Sequence, residues 1–249
     1  MITLENISIA FGSRSLLKDA NATFGQGMLI PLIGRNGAGK SSLLKVLAAI
    51  DTPKSGRVLV SGKDIFTLNP AERSKIISFV STQRVRVANM LCRDVVAIGR
   101  APYTNWVGSM QPDDVEIVNN ALAAVGMSDF AARPIDTLSD GECQRVMIAR
   151  ALAQQTPVIL LDEPTAFLDI PNRFEICRLL AHLAHNQGKT IIFSTHDIDA
   201  ALPVCDAIAV IDNDQIRLHI IFLSSCAHAV ARLGSAETPI IEVTVGIRL

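Results

Sequence analysis

An α/β fold with a mostly parallel sheet is predicted by three observations. Short apolar runs alternate with segments of helical spacing along much of the chain. One such run, Val-Ile-Leu-Leu at 158–161, is too short for a helix and uninterrupted by polar residues, the pattern of a strand covered on both faces. Another, at 28–33, passes directly into a glycine-rich loop followed by a helical segment.

Taken in order, residues 2–11 alternate apolar and polar positions as a half-buried strand does, and Gly12-Ser13 supplies a turn. The run at 28–33 reads as a buried strand. Residues 41–50 have helical spacing, with Leu43, Leu44, Val46 and Leu47 facing inward. Further strands are expected at 57–60 and 76–80. From Cys92 to Gln154 the texture becomes helical, at 93–99, 113–125 and 141–154, which reads as an inserted subdomain over about residues 84–156. Strands at 158–161, 191–194 and 207–211 follow, with a helix at 172–185 between the first two.

Composition narrows the function. Of 249 residues, 49% are hydrophobic and 19% charged, enough apolar material for a packed interior. Lys plus Arg number 23 and Asp plus Glu 24, so no broad positive field exists for nucleic acid. The cysteines, Cys92, Cys143, Cys177, Cys205 and Cys226, are scattered without a CxxC pair and suggest neither a disulfide framework nor zinc. The N-terminus lacks the basic start and apolar stretch of a signal peptide, and the apolar run 218–223 is far too short to cross a bilayer. The expectation is a cytoplasmic protein whose membrane role, if any, comes through partners.

Two motifs carry chemistry. Gly34-Arg35-Asn36-Gly37-Ala38-Gly39-Lys40-Ser41 matches GxxxxGK[ST] between a predicted strand and a predicted helix. Glycines let backbone N–H groups, Ala38 included, turn toward a triphosphate, and the following helix, opening at Ser41 and Ser42, points its positive end there. Lys40 would neutralise phosphate charge, and the Ser41 hydroxyl would ligate Mg²⁺. A glycine-rich turn with a solvated lysine is the plainer alternative. The second motif, Asp162-Glu163-Pro164, sits where a buried strand emerges, the edge at which open α/β sheets bind ligands. Asp162 can hold Mg²⁺, and Glu163 can activate water for attack on ATP. Alone, these would read as two exposed loop acids; the phosphate loop makes that the lesser reading.

Leu138-Ser139-Asp140-Gly141-Glu142 resembles the LSGGQ signature of ATP-binding cassette (ABC) proteins, with Asp140 and Glu142 departing from it. Gln83 looks like the family's Q-loop glutamine, Phe167-Leu168-Asp169 resembles the D-loop, and His196 resembles the switch histidine. Phe11 stands where the family keeps an aromatic residue that stacks on adenine, although a Phe ending a strand is also an ordinary core residue. The likeness spans about residues 1–216. It implies a P-loop NTPase core, an N-terminal antiparallel β subdomain and an inserted helical subdomain. It further implies that Gln83 serves both the catalytic step and Mg²⁺, and that His196 and Glu163 act in hydrolysis. Two copies would meet head to tail, each ATP lying between one Gly34–Ser42 loop and the partner's Ser139, Gly141 and Glu142, with Asp169 at the same junction. Ser139 would offer its hydroxyl to the γ-phosphate. Motion would pass through Gln83 and the insert to integral-membrane permease subunits at the inner face of the membrane.

Asp94-Val95-Val96-Ala97-Ile98-Gly99-Arg100-Ala101-Pro102-Tyr103 looks like a segment of import ATPases for iron–siderophore, haem and cobalamin, which would add a periplasmic substrate-binding protein as an indirect partner. An ordinary amphipathic helix ended by Gly99 and Pro102 is the alternative. Other transporter classes, an ABC protein acting on nucleic acid, and a purely structural subunit remain competing readings. The unit is expected over residues 1–218. Residues 219–249 depart from the family's usual ending, either as a private extension or through a shifted reading frame, and are expected to contribute little packing.

Overall fold

The computed structural model describes residues 1–12, 14–83, 87–104 and 110–221. In chain order these form β1 (Ile2–Phe11), β2 (Arg14–Phe24), β3 (Leu29–Gly34), α1 (Lys40–Leu47), β4 (Ser55–Val60), β5 (Lys63–Asp64), α2 (Pro70–Arg73) and β6 (Ile77–Val80). There follow α3 (Cys92–Ala97), α4 (Pro112–Ala124), α5 (Asp140–Ala153), β7 (Val158–Leu161), α6 (Ile170–Gln187), β8 (Thr190–Ser194), α7 (Ile198–Ala201), β9 (Ala207–Asp212) and β10 (Gln215–Ile220). No helix among the described residues is long and apolar enough to cross a membrane.

Among the described residues the strands make two sheets, an antiparallel one ordered β2-β1-β4-β5 and a larger one ordered β10-β9-β3-β8-β7-β6. Every pairing in the larger sheet is parallel except β9 with β10. The mostly parallel sheet and the N-terminal antiparallel subdomain are therefore as expected. Alternate side chains of the central strands enter different apolar layers, as the two-residue period of a strand requires. Ile159, Leu161, Ile191 and Phe193 join the layer built with α5 and α6, whereas Val158, Leu160 and Ile192 join the one built with α1 and the antiparallel sheet. A fully buried side chain such as Phe193, 0% exposed, contributes about 1.5–3 kcal/mol relative to exposure.

β2 has no counterpart in the sequence expectations. Its pairing with β1 shifts register between Leu4 and Ile7 and between Ile7 and Ile9, and Asn6 and Asp19 both adopt positive φ. These bulges break the period of two, so the buried positions Leu16, Leu17, Ala20 and Phe24 show no clean alternation. The helix predicted at 93–99 ends at Ala97 and tightens into a 3-10 turn over Ile98–Tyr103, where Pro102 cannot continue an α-helix. The helix predicted at 172–185 starts earlier, at Ile170, because Asp169 caps it, and Gly188 with φ 64° follows its end.

The insert contains α3, α4 and α5 and is anchored by a buried ion pair. Arg100 Nε donates to Asp114 Oδ1 at 2.7 Å, and its Nη1 donates to Ala153 O and Gln155 Oε1. Its guanidinium lies 4.0 Å from the Tyr103 ring centroid. Asp114 also accepts from Gln111 N, which with the Arg100 bond holds its carboxyl below the usual carboxylate range. The expected strand after the Asp212-Asn213-Asp214 turn is β10; it continues to Ile220, and Ile221 packs against the core. Ser13 of the predicted turn, residues 84–86 and 105–109 within the expected insert, and residues 222–249 of the expected tail, Cys226 included, lie outside the described residues.

Candidate functional site

Parallel pairing brings the carboxyl ends of β3, β7 and β8 to one edge: Leu32 pairs with Ser194, and Leu161 with Phe193. The loops leaving those ends therefore meet. Gly39, with φ 105°, is the residue before α1, a backbone shape that a side chain would strain. It delivers Lys40 and Ser41 as the first residues of a helix whose first turn holds no acidic residue, so the positive end of its dipole stays available to an anion.

Lys40 is 6% exposed, and its Nζ donates to Gly34 O at 2.9 Å. The same ammonium stands 3.1 Å from His196 Nε2. Nε2 can accept from that ammonium only when the ring's proton is on Nδ1, and can donate toward a carboxylate only when it is on Nε2. Burial pulls the Lys40 pKa down, while the negative charges of Glu163 and Asp162 oppose that pull. Glu163 Oε1 lies 3.3 Å from His196 Nε2.

Asp162 is 8% exposed and accepts from two hydroxyls, Ser41 Oγ at 2.8 Å and Ser194 Oγ at 2.7 Å. Ser194 Oγ in turn accepts from Glu163 N at 2.8 Å, holding Glu163 with φ 48° at the end of β7. Thr82 Oγ1 donates to Asp162 O, tying the segment after β6 to the same point. A hydroxyl beside a carboxylate is a set of hard oxygen donors, and Ser41 and Asp162 fit Mg²⁺ on that chemistry.

A cleft of about 290 Å³ runs along this loop from exposed Phe11 past Asn36, Gly37 and Gly39 to Lys40, Ser41, Ser42 and Glu163. Gly34 closes the end of β3, and Ala38 faces an adjoining depression beside Arg35. Gln83 is exposed and outside the cleft; it borders a small cavity shared by Glu163 and the α5 residues Asp140 and Gln144.

Ser139, Gly141, Glu142 and Asp169 do not line the cleft; they sit at the starts of α5 and α6. Ser139 donates from N and Oγ to Glu142 Oε2, at 2.8 and 2.7 Å, and accepts from Glu142 N. Those two donors hold the Glu142 carboxyl below its usual range. The Ser139 hydroxyl, expected to be offered to a phosphate, is therefore given to its own helix's carboxylate and must turn to reach any other acceptor. Asp169 accepts from Asn172 N at 3.1 Å and Nδ2 at 2.6 Å. A β-carbon on Gly141 would stand 3.2 Å from Asn172 Oδ1, so the starts of α5 and α6 touch.

Sequence reasoning missed Arg14, which lines the cleft, and the hydroxyls of Thr82 and Ser194. A serine closing an otherwise apolar buried strand was the available signal for Ser194.

The ABC transporter family model matches residues 17–166. An uncharacterized ABC transporter ATP-binding protein of Methanocaldococcus jannaschii is 40% identical over 216 residues, 87% of this chain and 74% of that protein. The iron(3+)-hydroxamate import ATP-binding protein of Bacillus subtilis is 36% identical over 200 residues, 80% of this chain and 74% of its own length. A bacterial ABC transporter cassette solved as a dimer superimposes with a TM-score of 0.76 at 29% identity, covering 89% of this chain and 99% of that one.

Proposed function

Since the chain belongs to the ABC transporter ATPase family, we propose that it hydrolyses ATP as the motor subunit of an importer for iron–siderophore, haem or cobalamin cargo. The observation that carries this reading is the meeting of Lys40, Ser41, Asp162, Glu163 and His196 at one sheet edge. The importer class is supported by the iron-hydroxamate relative and by the segment 94–103, which lies within the insert.

The triphosphate lies along the Gly34–Ser42 loop, with Lys40 exchanging its internal acceptors for phosphate oxygens. Ser41 and Asp162 hold Mg²⁺, which when bound supplies positive charge to the phosphate oxygens. Glu163, its backbone fixed by Ser194, takes the proton of the attacking water, and His196 orients the γ-phosphate end. Phe11, exposed at the mouth of the cleft, stacks on the base.

The motor is a head-to-tail pair of this chain. Ser139, Gly141 and Glu142 of one copy close the nucleotide site of the other, which is why they stand apart from the cleft within a single chain. Gln83, next to Glu163 and α5, and the insert carry the change to permease subunits at the inner face of the membrane, where a periplasmic binding protein delivers cargo from the far side. The test is reconstitution with the permease in proteoliposomes. Phosphate release should require Mg²⁺ and ATP, and uptake of a ferric siderophore, haem or cobalamin should follow it. Hydrolysis without uptake of any of the three would reject the cargo class.

A further inference from the structure

Four residues beyond Asp169, Arg173 leaves the first turn of α6 and grips two loops at once. Its Nε donates to Leu168 O at 2.8 Å, and its Nη1 donates to Asp197 Oδ1 at 2.5 Å. Asp197 is the residue after His196. Its other carboxylate oxygen accepts from Thr165 Oγ1 at 2.5 Å, and Thr165 lies two residues after Glu163. Asp197 N donates to Thr195 Oγ1 at 2.9 Å, which ties the peptide after His196 to the side chain before it. Thr165 and Thr195 are each 1% exposed. The Leu168–Arg173 corner, the Glu163–Leu168 turn and the His196 loop are thereby joined through one carboxylate.

That strap matters because His196 itself is exposed. Its aim at Lys40 and Glu163 follows from backbone placement at 195–197, which Asp197 sets. Charge-assisted bonds from a planar guanidinium fix direction as well as distance, and one cation spanning a carbonyl and a carboxylate makes the two loops move together.

We propose that Arg173 is a positioning residue for ATP hydrolysis, acting through Asp197 and the Leu168 carbonyl to keep His196 and Glu163 in register. This rests on the roles proposed above for Glu163 and His196. Arg173 touches neither the cleft nor the phosphate loop, so it should leave nucleotide binding alone while slowing turnover.

The experiment measures steady-state ATP hydrolysis, ATP affinity by calorimetry and thermal melting for Arg173→Gln, Asp197→Asn, the double variant and Glu163→Gln. Arg173→Gln should lower kcat about ten-fold or more with KM and Kd within about two-fold of the parent. The double variant should be no slower than the worse single variant, because both changes cut the same strap. Arg173→Lys, which keeps the charge but cannot span both acceptors, should fall between; it also serves should Arg173→Gln not fold. An unchanged kcat in Arg173→Gln, or in Arg173→Lys standing in for it, overturns the proposal. So does a loss confined to KM and Kd, or losses that multiply in the double variant. Glu163→Gln separates the two readings. If it hydrolyses at the parent rate, the assigned base is wrong and the strap has nothing to position. If it is inactive while Arg173→Gln turns over normally, only the strap fails.

Discussion

Lys40 Nζ stands 3.1 Å from His196 Nε2, and the same imidazole nitrogen lies 3.3 Å from Glu163 Oε1. One ring nitrogen thus sits between the cation that would meet the phosphates and the carboxylate that would meet the water.

Glu163→Gln keeps the size of the side chain and the Ser194 bond to its backbone, and removes the proton acceptor. Hydrolysis should fall by about 10²-fold or more while ATP affinity is retained. Size-exclusion chromatography should then show an ATP-stabilised dimer.

Lys40→Ala takes away a nearly buried cation without a substitute. ATP binding measured by calorimetry should weaken by about ten-fold or more. An unchanged affinity would place the phosphates elsewhere.

Asp114→Asn leaves the buried Arg100 guanidinium without its counter-charge. Removing one partner of such a pair costs about 3–5 kcal/mol, so the melting temperature near neutral pH should drop. Because the folded carboxyl is held below its unfolded value, its stabilisation is present above an unfolded pKa of about 3.9 and is lost as pH falls through the lower folded value. The gap between parent and variant should therefore narrow in acid, as melting curves across that range would show.

Ile98→Asp probes the permease contact without disturbing the anchor. Ile98 is 50% exposed, whereas Arg100, two residues on, is buried. Basal hydrolysis by the isolated chain should persist while stimulation by the permease falls. Full stimulation would move the contact away from this segment.

Truncation after Ile221 should hold the melting temperature within a few degrees of the full chain and preserve nucleotide binding. Truncation after Leu218, the boundary expected from sequence, removes the pairs His219 with Ile208 and Ile220 with Ala207 and should melt lower. Equal melting of the two truncated chains would show that the end of β10 adds nothing.

The phosphate loop and the acidic strand end were legible because their chemistry is local: Gly34 to Ser41 and Asp162-Glu163 each lie within one loop. Ser139 was legible only through its likeness to the signature, just ahead of the helix expected from Gly141; the structure makes it the cap of that helix. Its bond to Glu142, rather than to a ligand, was not foreseen, because the acidic residue in place of glutamine was read only as a departure. β2 was illegible because bulges at Asn6 and Asp19 interrupt its pattern. The Arg173–Asp197 bond was hidden for another reason: its partners are 24 residues apart, and nothing local to either one names the other.

The contact between Asn172 and Gly141 couples what the two positions can hold. A methyl group at 141 must displace a carboxamide 3.2 Å away, although the glycine lies in ordinary helical backbone. The order in which changes are acquired then matters. A smaller residue at 172 gives up the carboxamide bond to Asp169 but keeps the backbone N–H bond to the same oxygen, and it opens 141 to alanine. The reverse order passes through a crowded intermediate. A selection for second-site suppressors of Gly141→Ala should therefore return to codon 172, pairing two helix starts that the chain separates by 31 residues.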